Sequence, residues 1–253
     1  MTGLYFSATG NTKRCVEKFV RCFDPENKSF SIESSELDNL LADETMIVFG
    51  HPTCFSNAPK IVRDFILRRA ELFRGKKIFI IATMGLFSGD GAGCSARILR
   101  KCGAVIIGGL HLRMPDSVAD NKLLKKTLDE NRALVRRAEE KINFAAQKME
   151  EGKPLQDGLR FFHRMAGLFG QRLWYYGKSL SYKDKPDIDP KKCICCGRCV
   201  KDCPMKNLEK RDDRIVHQKK CTLCYRCVNN CPAQAITILG KEVYEQCVIE
   251  KYL

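Results

Sequence analysis

Between Cys193 and Pro232 the chain writes one pattern twice. C-x-x-C-x-x-C-x-x-x-C-P occurs first as Cys193, Cys196, Cys199 and Cys203-Pro204, then as Cys221, Cys224, Cys227 and Cys231-Pro232. Eight soft ligands in two identical runs, each closed by Cys-Pro, have the spacing of a scaffold for two iron-sulfur clusters. A zinc site takes four ligands and then closes, so zinc is the weaker reading. The correspondence goes beyond thiols: a step of 28 residues carries Arg198 onto Arg226, Val200 onto Val228 and Leu208 onto Ile236. Such an internal repeat predicts two halves related by a pseudo-two-fold. Each half is expected to be a turn, a short helical segment and a strand pair, with Arg211 to Arg214 as a polar turn between strands. Neither half carries enough apolar residues for a core of its own, so bound metal must hold the unit together.

The doubled run resembles that of the bacterial ferredoxins. The resemblance implies two [4Fe-4S] clusters in which the fourth cysteine of each run serves the other cluster. Cys193, Cys196, Cys199 and Cys231 would hold one, and Cys221, Cys224, Cys227 and Cys203 the other.

Cysteine usage is uneven, with ten of the fifteen from Cys193 onward. The C-terminal quarter therefore reads as a separate metal-dependent unit. The preceding 150 residues read as an ordinary α/β segment, with apolar runs at Thr45 to Gly50, Lys77 to Thr83 and Ala104 to Leu112. Free thiols in this number point to a reducing interior. Met1 to Phe6 reads as a strand rather than a leader, so the cytoplasm is the expected compartment. No stretch approaches the roughly 18 apolar residues that span a bilayer.

The formal charge is +14, with 24 basic against 18 acidic residues in 1–150 and 20 against 12 in 151–253. No nucleic-acid-binding signature accompanies the charge, so nucleic acid is not the expected partner. An acidic redox protein is, because complementary fields raise encounter rates.

The strand Gly3-Leu4-Tyr5-Phe6 runs into Ser7-Ala8-Thr9-Gly10-Asn11-Thr12 and then into a helix with Val16, Phe19 and Val20 on one face. Hydroxyls at Ser7, Thr9 and Thr12, with the backbone N–H groups that Gly10 and the helix start make available, can wrap a phosphate monoester without a cation. A helix cap rich in serine and threonine is the plainer alternative. Neither a Walker loop nor a G-x-G-x-x-G fingerprint is present.

Ser7 to Thr12 resembles the phosphate loop of the flavodoxin family, [S/T]-x-T-G-N-T, at every position. That resemblance implies FMN. It also implies that the loops after the third and fourth strands hold the flavin ring: Pro52, Thr53, Cys54, Phe55 and Ser56, then Met84, Gly85, Leu86, Phe87, Ser88, Gly89 and Asp90. Phe55 and Phe87 stand where the family often has tryptophan or tyrosine. Gly85 would allow a flavin-dependent peptide reorientation.

The spacing predicts strands at 1–6, 29–33, 45–50, 77–83 and 104–112, with helices at 11–23, 36–42, 58–73, 91–102 and 120–150. Right-handed crossovers then give an α/β fold, a doubly wound five-stranded parallel sheet of order 2-1-3-4-5. A small α+β ferredoxin-type domain follows it. The whole resembles fused flavodoxin-ferredoxin proteins of anaerobic bacteria and archaea. The expected domains are 1–150, binding FMN, and 187–253, binding two clusters, joined by a basic amphipathic segment at 151–186.

In that segment Leu155, Leu159, Phe162, Met165, Phe169, Leu173, Tyr176 and Leu180 recur at three- and four-residue steps, while Arg160, Arg164, Arg172 and Lys178 take other faces. The expectation is that the stripe packs the two domains together. Membrane-surface contact through 155–182 is the less favoured alternative. Cys195 reads as a bystander thiol between ligands; Cys15, Cys22, Cys94 and Cys102 read as small buried hydrophobes. Cys54 could tune or react with the flavin. His51 could move a proton, although a role in loop structure is favoured. Arg198 and Arg226 read equally well as partners of reduced clusters or as solubilising charges.

Three functions are compatible with this sequence. The first is an electron relay between two [4Fe-4S] clusters and FMN, fed by a ferredoxin-type donor. The second is a ferredoxin-dependent FMN reductase of a small organic acceptor such as a quinone. The third is a cluster-containing binding or regulatory module with a vestigial flavin site. No catalytic acid is legible, which leaves enzymatic activity open.

Overall fold

The computed structural model describes residues 1–169, 173, 174, 177 and 181–253. Residues 2–113 alternate strand and helix: β1 Thr2–Tyr5, α1 Asn11–Arg21, β2 Ser29–Ser31, α2 Leu37–Leu41, β3 Met46–Pro52, α3 Lys60–Arg68, β4 Lys77–Met84, α4 Gly91–Lys101 and β5 Val105–Arg113. The five strands form one sheet in the expected order, β2-β1-β3-β4-β5, and every pairing is parallel. Side chains alternate across it, as the pleat requires. Ile78 and Ile80 face a core shared with α3 and α4, while Phe79 and Ile81 face one shared with α1. Both faces are covered, so β4 is apolar without interruption from Ile78 to Ala82. Val16, Phe19 and Val20 of α1 are fully buried, with Phe19 stacked on Phe79 at 4.7 Å.

Two boundaries depart from the sequence expectation. The helix expected at 58–73 stops at Arg68 and continues as a 3-10 turn at Ala70–Phe73. The helix expected at 120–150 begins only at Leu128, as α5, Leu128–Glu150. Thr127 and Glu130 fix that start: Thr127 Oγ1 accepts from Glu130 N at 3.2 Å, and Glu130 accepts in return from Thr127 N at 2.8 Å. This reciprocal cap satisfies two donors that a helix start leaves open. Residues 114–127 are thereby released to cross the C-terminal ends of the strands.

Beyond α5 the chain returns to the open edge of β5. Gly109 N donates to Leu155 O and Asp157 N to Gly109 O, both at 2.8 Å. A short helix, α6 at Phe161–Gly167, then lies on the start of α4. The expectation that the connector's apolar stripe joins the two domains is not met among the described residues: Phe162 is 82% exposed, Phe169 57% and Leu173 58%. Among the described residues the beginning of the stripe is used, Leu159 against one core and Leu155 against the other. Periodicity reports a helix face but not what covers it. Arg172, Tyr176, Lys178 and Leu180 lie outside the described residues.

The cysteine-rich part contains β6 Asp187–Ile188, α7 Arg198–Asp202, β7 Leu208–Arg211, β8 Arg214–His217, α8 Arg226–Asn230 and β9 Ile236–Thr237. β7 and β8 form the hairpin expected around Arg211 to Arg214, and β6 pairs antiparallel with β9. The repeat is visible in the backbone: left-handed φ values recur 28 residues apart at Cys195 (51°) and Leu223 (58°), Gly197 (75°) and Tyr225 (62°), and Lys206 (48°) and Gln234 (48°). The chain then ends against the first domain, where Cys247, Ile249 and Tyr252 are buried beside α1 and α5.

Candidate functional site

The C-terminal ends of β1, β3, β4 and β5 open into one crevice of about 290 Å³. That places it where ligands of open α/β sheets bind, and at the lower edge of the roughly 300–1,000 Å³ usual for them. Ser7, Ala8, Thr9, Asn11 and Thr12 form one wall. Gly10 makes their turn possible, with φ 88° just before α1. A Cβ at Gly10 would also stand 2.3 Å from Ile249 Cγ2 of the C-terminal tail. Thr12 Oγ1 lies 2.8 Å from Thr83 Oγ1, and Asn11 Nδ2 donates to Pro115 O at 2.8 Å.

Three buried oxygens of residues lining this cavity lack a partner within the protein: Ser7 Oγ and Asn11 Oδ1 on this wall, and Thr53 Oγ1 on the next. Buried polar atoms are rarely left so, which marks the wall as built for a polar ligand. No lysine or arginine lines the cavity among the described residues. A phosphate held here would rest on hydroxyls and helix-start N–H groups. The residues present therefore fit the phosphate end of FMN.

Pro52, Thr53, Cys54 and Phe55 form a second wall, and Met84, Gly85, Leu86 and Phe87 a third. Four of the expected loop residues are placed elsewhere. Ser56 is buried beside Gly89. Ser88 Oγ lies 3.3 Å from His111 Nδ1, and the fully buried Asp90 caps α4 and pairs with Arg97 at 2.8 Å. These four support the loops from behind. Phe55 has φ 49°, a conformation strained for an aromatic residue and common where a loop meets a ligand. Burial pushes the Cys54 thiol up to about 12, with the charges of Cys224 and Asp116 adding to the effect. Cys54 is thus a protonated thiol at neutral pH rather than a nucleophile.

The fourth wall, Met114 to Val118, is absent from the sequence-based set. Asp116 is its one charged residue. Burial raises its pKa, and a Cβ at Gly85 would stand 2.0 Å from its Oδ2. Gly85 is therefore needed for close approach as much as for backbone freedom. The turn residues Pro115-Asp116-Ser117, directly after a strand, were the signal that marked this loop.

The fifth contribution comes from the cysteine-rich part: Leu223, Cys224 and Tyr225 enter the same cavity. Here the repeat is deliberately unequal. The first half has Gly197 in the left-handed position before α7, and the second has Tyr225 before α8. A side chain in that conformation costs roughly 1–2 kcal/mol. Tyr225 offsets the cost with its hydroxyl, which donates to Asp120 Oδ1 at 2.8 Å. Asp120 Oδ2 accepts from the backbone N–H of Ile238, Leu239 and Gly240 at 2.6, 2.9 and 3.1 Å. One buried carboxylate in the fourth loop thus fastens the cysteine-rich part over the crevice.

Arg226 adds a strut: it pairs with Glu33 at 2.5 Å, donates to Ser7 O at 2.8 Å and lies 5.3 Å from the centre of the Phe6 ring. Of the two readings of Arg226, as cluster partner or as solubilising charge, neither describes this role in joining domains. Arg198, its counterpart in the repeat, pairs only locally with Asp202 at 3.5 Å.

The cysteines gather in two sets. Cys193, Cys196, Cys199 and Cys231 surround a small void of about 20 Å³. Burial, then the charges of Cys231, Cys193 and Cys196, push the Cys199 thiol up to about 11. In the other set burial raises Cys227, and the charges of Cys224, Cys221 and Cys203 raise it further. Thiols crowded in this way repel as thiolates, and a bound cation relieves the repulsion. Cys195 borders the same void beside Cys193, and its Sγ donates to Asp213 O at 2.8 Å.

His51 does not reach the cavity. It is fully buried, with Nε2 2.8 Å from Ser95 Oγ and Nδ1 3.0 Å from Pro52 O. Burial lowers its pKa to about 4. The folded state therefore holds it neutral while the unfolded chain takes up a proton below its ordinary value of about 6.5, so its contribution is full above that value and is lost as pH falls through 4. Between pH 7 and pH 5 the wild type is expected to lose on the order of 2 kcal/mol more than a His51→Gln variant, read from urea midpoints. Equal pH dependence of the two would remove this account.

Residues 185–232 match the family model of the 4Fe-4S dicluster domain. No curated protein matches the chain. Similar solved structures include the two-electron reduced flavodoxin of Megasphaera elsdenii, 21% identical, covering 58% of this chain and 99% of that one at a TM-score of 0.42. The oxidised Flavodoxin 2 of Bacillus cereus is 19% identical over 60% and 97%, at a TM-score of 0.43. The Fusobacterium nucleatum flavodoxin bound to flavin mononucleotide is 16% identical over 60% and 98%, at 0.41. The sheet order and the dicluster match together define the arrangement: a flavodoxin-like sheet followed by a 4Fe-4S dicluster segment. Among the described residues no helix is long and apolar enough to cross a membrane.

Proposed function

We propose that the chain is an electron-transfer iron-sulfur flavoprotein, relaying electrons between two [4Fe-4S] clusters and FMN and so joining a ferredoxin-type donor to a flavin-linked acceptor. The observation that carries this reading is Cys224, a cysteine of the second run that is also part of the wall of the flavin cavity. The set Cys203, Cys221, Cys224 and Cys227 would then hold the cluster nearer the flavin, and Cys193, Cys196, Cys199 and Cys231 the farther one. FMN when bound accepts one or two electrons, whereas clusters pass them singly, so the pair links one-electron carriers to two-electron chemistry. Ser7, Asn11 and Thr12 would hold its phosphate, Thr53 to Phe55 and Met84 to Phe87 would enclose the ring, and Asp116 is a carboxyl able to hold a proton beside it. The farther cluster suits an acidic redox protein, drawn by the basic surface.

A second reading, a ferredoxin-dependent reductase of a small organic acceptor, is favoured by Leu86 and Phe87, which are 56% and 45% exposed at the rim. Anaerobic purification should yield about eight iron and eight sulfide per chain with one FMN. Ser7→Ala is expected to weaken FMN binding by about tenfold with iron unchanged. A wild-type protein that takes up no flavin would end the relay reading.

A further inference from the structure

A second cavity, of about 570 Å³, opens between α3 and the second cysteine run. It shares Cys54, Phe55, Pro59 and Leu223 with the flavin crevice, and Cys221 also lines it. Five cations surround it, Lys60, Arg63, Lys183, Lys219 and Lys220, and no acidic residue does. Lys60 is paired with Asp64 on its own helix, which offsets part of its charge. Lys183, Lys219 and Lys220 have no ion pair among the described residues. The remaining lining is apolar, chiefly Phe55, Met205 and Leu223. Thr222 adds a buried hydroxyl oxygen with no partner within the protein.

Cations, apolar side chains and an unmatched hydroxyl lining one cavity together describe a ligand with two kinds of surface. Like charges such as Lys183, Lys219 and Lys220 lining one cavity cost energy that a bound anion returns. A volume of this size suits a small molecule rather than the flat contact of a protein partner. We propose that this cavity binds a small organic anion, an apolar body bearing a carboxylate, sulfonate or phosphate.

The test uses the holoprotein under anaerobic conditions with naphthalene-2-sulfonate as probe and naphthalene-2-methanol as its neutral counterpart, followed by calorimetry. The sulfonate is expected to bind about tenfold more tightly. The double variant Lys183→Gln, Lys219→Gln should lose that advantage while iron and flavin content stay unchanged. Thr222→Val, nearly equal in volume, should weaken the sulfonate a few-fold and serves as the variant least able to disturb folding. Equal affinity for the two probes, or a double variant that binds the sulfonate as the wild type does, overturns the proposal. So does a double variant in which only the cluster potential moves, because the lysines would then serve the cluster alone. A protein without flavin or iron would instead end the relay reading and leave anion binding to be judged by the same calorimetry.

Discussion

Asp120→Ala is expected to be the most damaging single substitution outside the cysteines, costing on the order of 4 kcal/mol in unfolding free energy. Its carboxylate, 2% exposed, receives four hydrogen bonds, one from Tyr225 and three from consecutive N–H groups of 238–240. Truncation leaves four donors without an acceptor, those of Tyr225 and Ile238 buried and those of Leu239 and Gly240 partly so, and the penalty comes from the orphaned groups as much as from the bonds themselves. Tyr225→Phe removes a single donor and its acceptor keeps three others, so about 1 kcal/mol is expected. The two should also differ in kind. Loss of Asp120 frees the segment that carries Cys221, Cys224 and Cys227, and hydrogen exchange at Ile238 to Gly240 should accelerate before that of the sheet strands. Urea midpoints and exchange rates measure both. An Asp120→Ala protein as stable as the wild type, with those amides still protected, would mean that apolar contact around Val228 and Ile236 is sufficient to seat the domain.

Much of this architecture is legible in the sequence because it is set by short-range rules. β4 announces itself by a continuous apolar run, as a strand buried on both faces must, and α1 by Val16, Phe19 and Val20 at helical spacing. The phosphate loop and the doubled cysteine run are local patterns whose spacing carries their chemistry. What is not legible depends on residues far apart in the chain. Asp120 meets Tyr225 across more than a hundred positions, and no local property of either predicts the contact. The start of α5 is a different case. Thr127 and Glu130 spell a capping box, and Pro115-Asp116-Ser117 a turn, but an apolar residue every few positions from 120 onward conceals both. Extending the helix to 120 hides the loop that becomes the fourth wall of the cavity. The basic cavity is built from residues near 60, 183 and 219, which only the tertiary fold brings together.

The repeat makes one further prediction that a linear reading of the runs would invert. Cys231 closes the second run in sequence, yet it lines the void with Cys193, Cys196 and Cys199. Cys231→Ser should therefore remove the cluster far from the flavin cavity, lowering iron from about eight to about four per chain. Flavin bleaching by a small reductant such as reduced methyl viologen should stay close to the wild-type rate, since Cys224 and its partners still adjoin the cavity. Cys203→Ser, in the first run, should cost the same amount of iron and slow the bleaching by tenfold or about that. If each run held its own cluster, the two variants would exchange behaviours. The inequality of the repeat supports the first outcome: Gly197 lies before the helix of the first run, where no cavity needs a side chain, while Tyr225 takes the strained equivalent position before Arg226 and Cys227. The second turn is the one shaped to meet the flavin crevice. On the proposed relay, a cluster seated there would be the junction through which the farther one communicates, whichever way the electrons run.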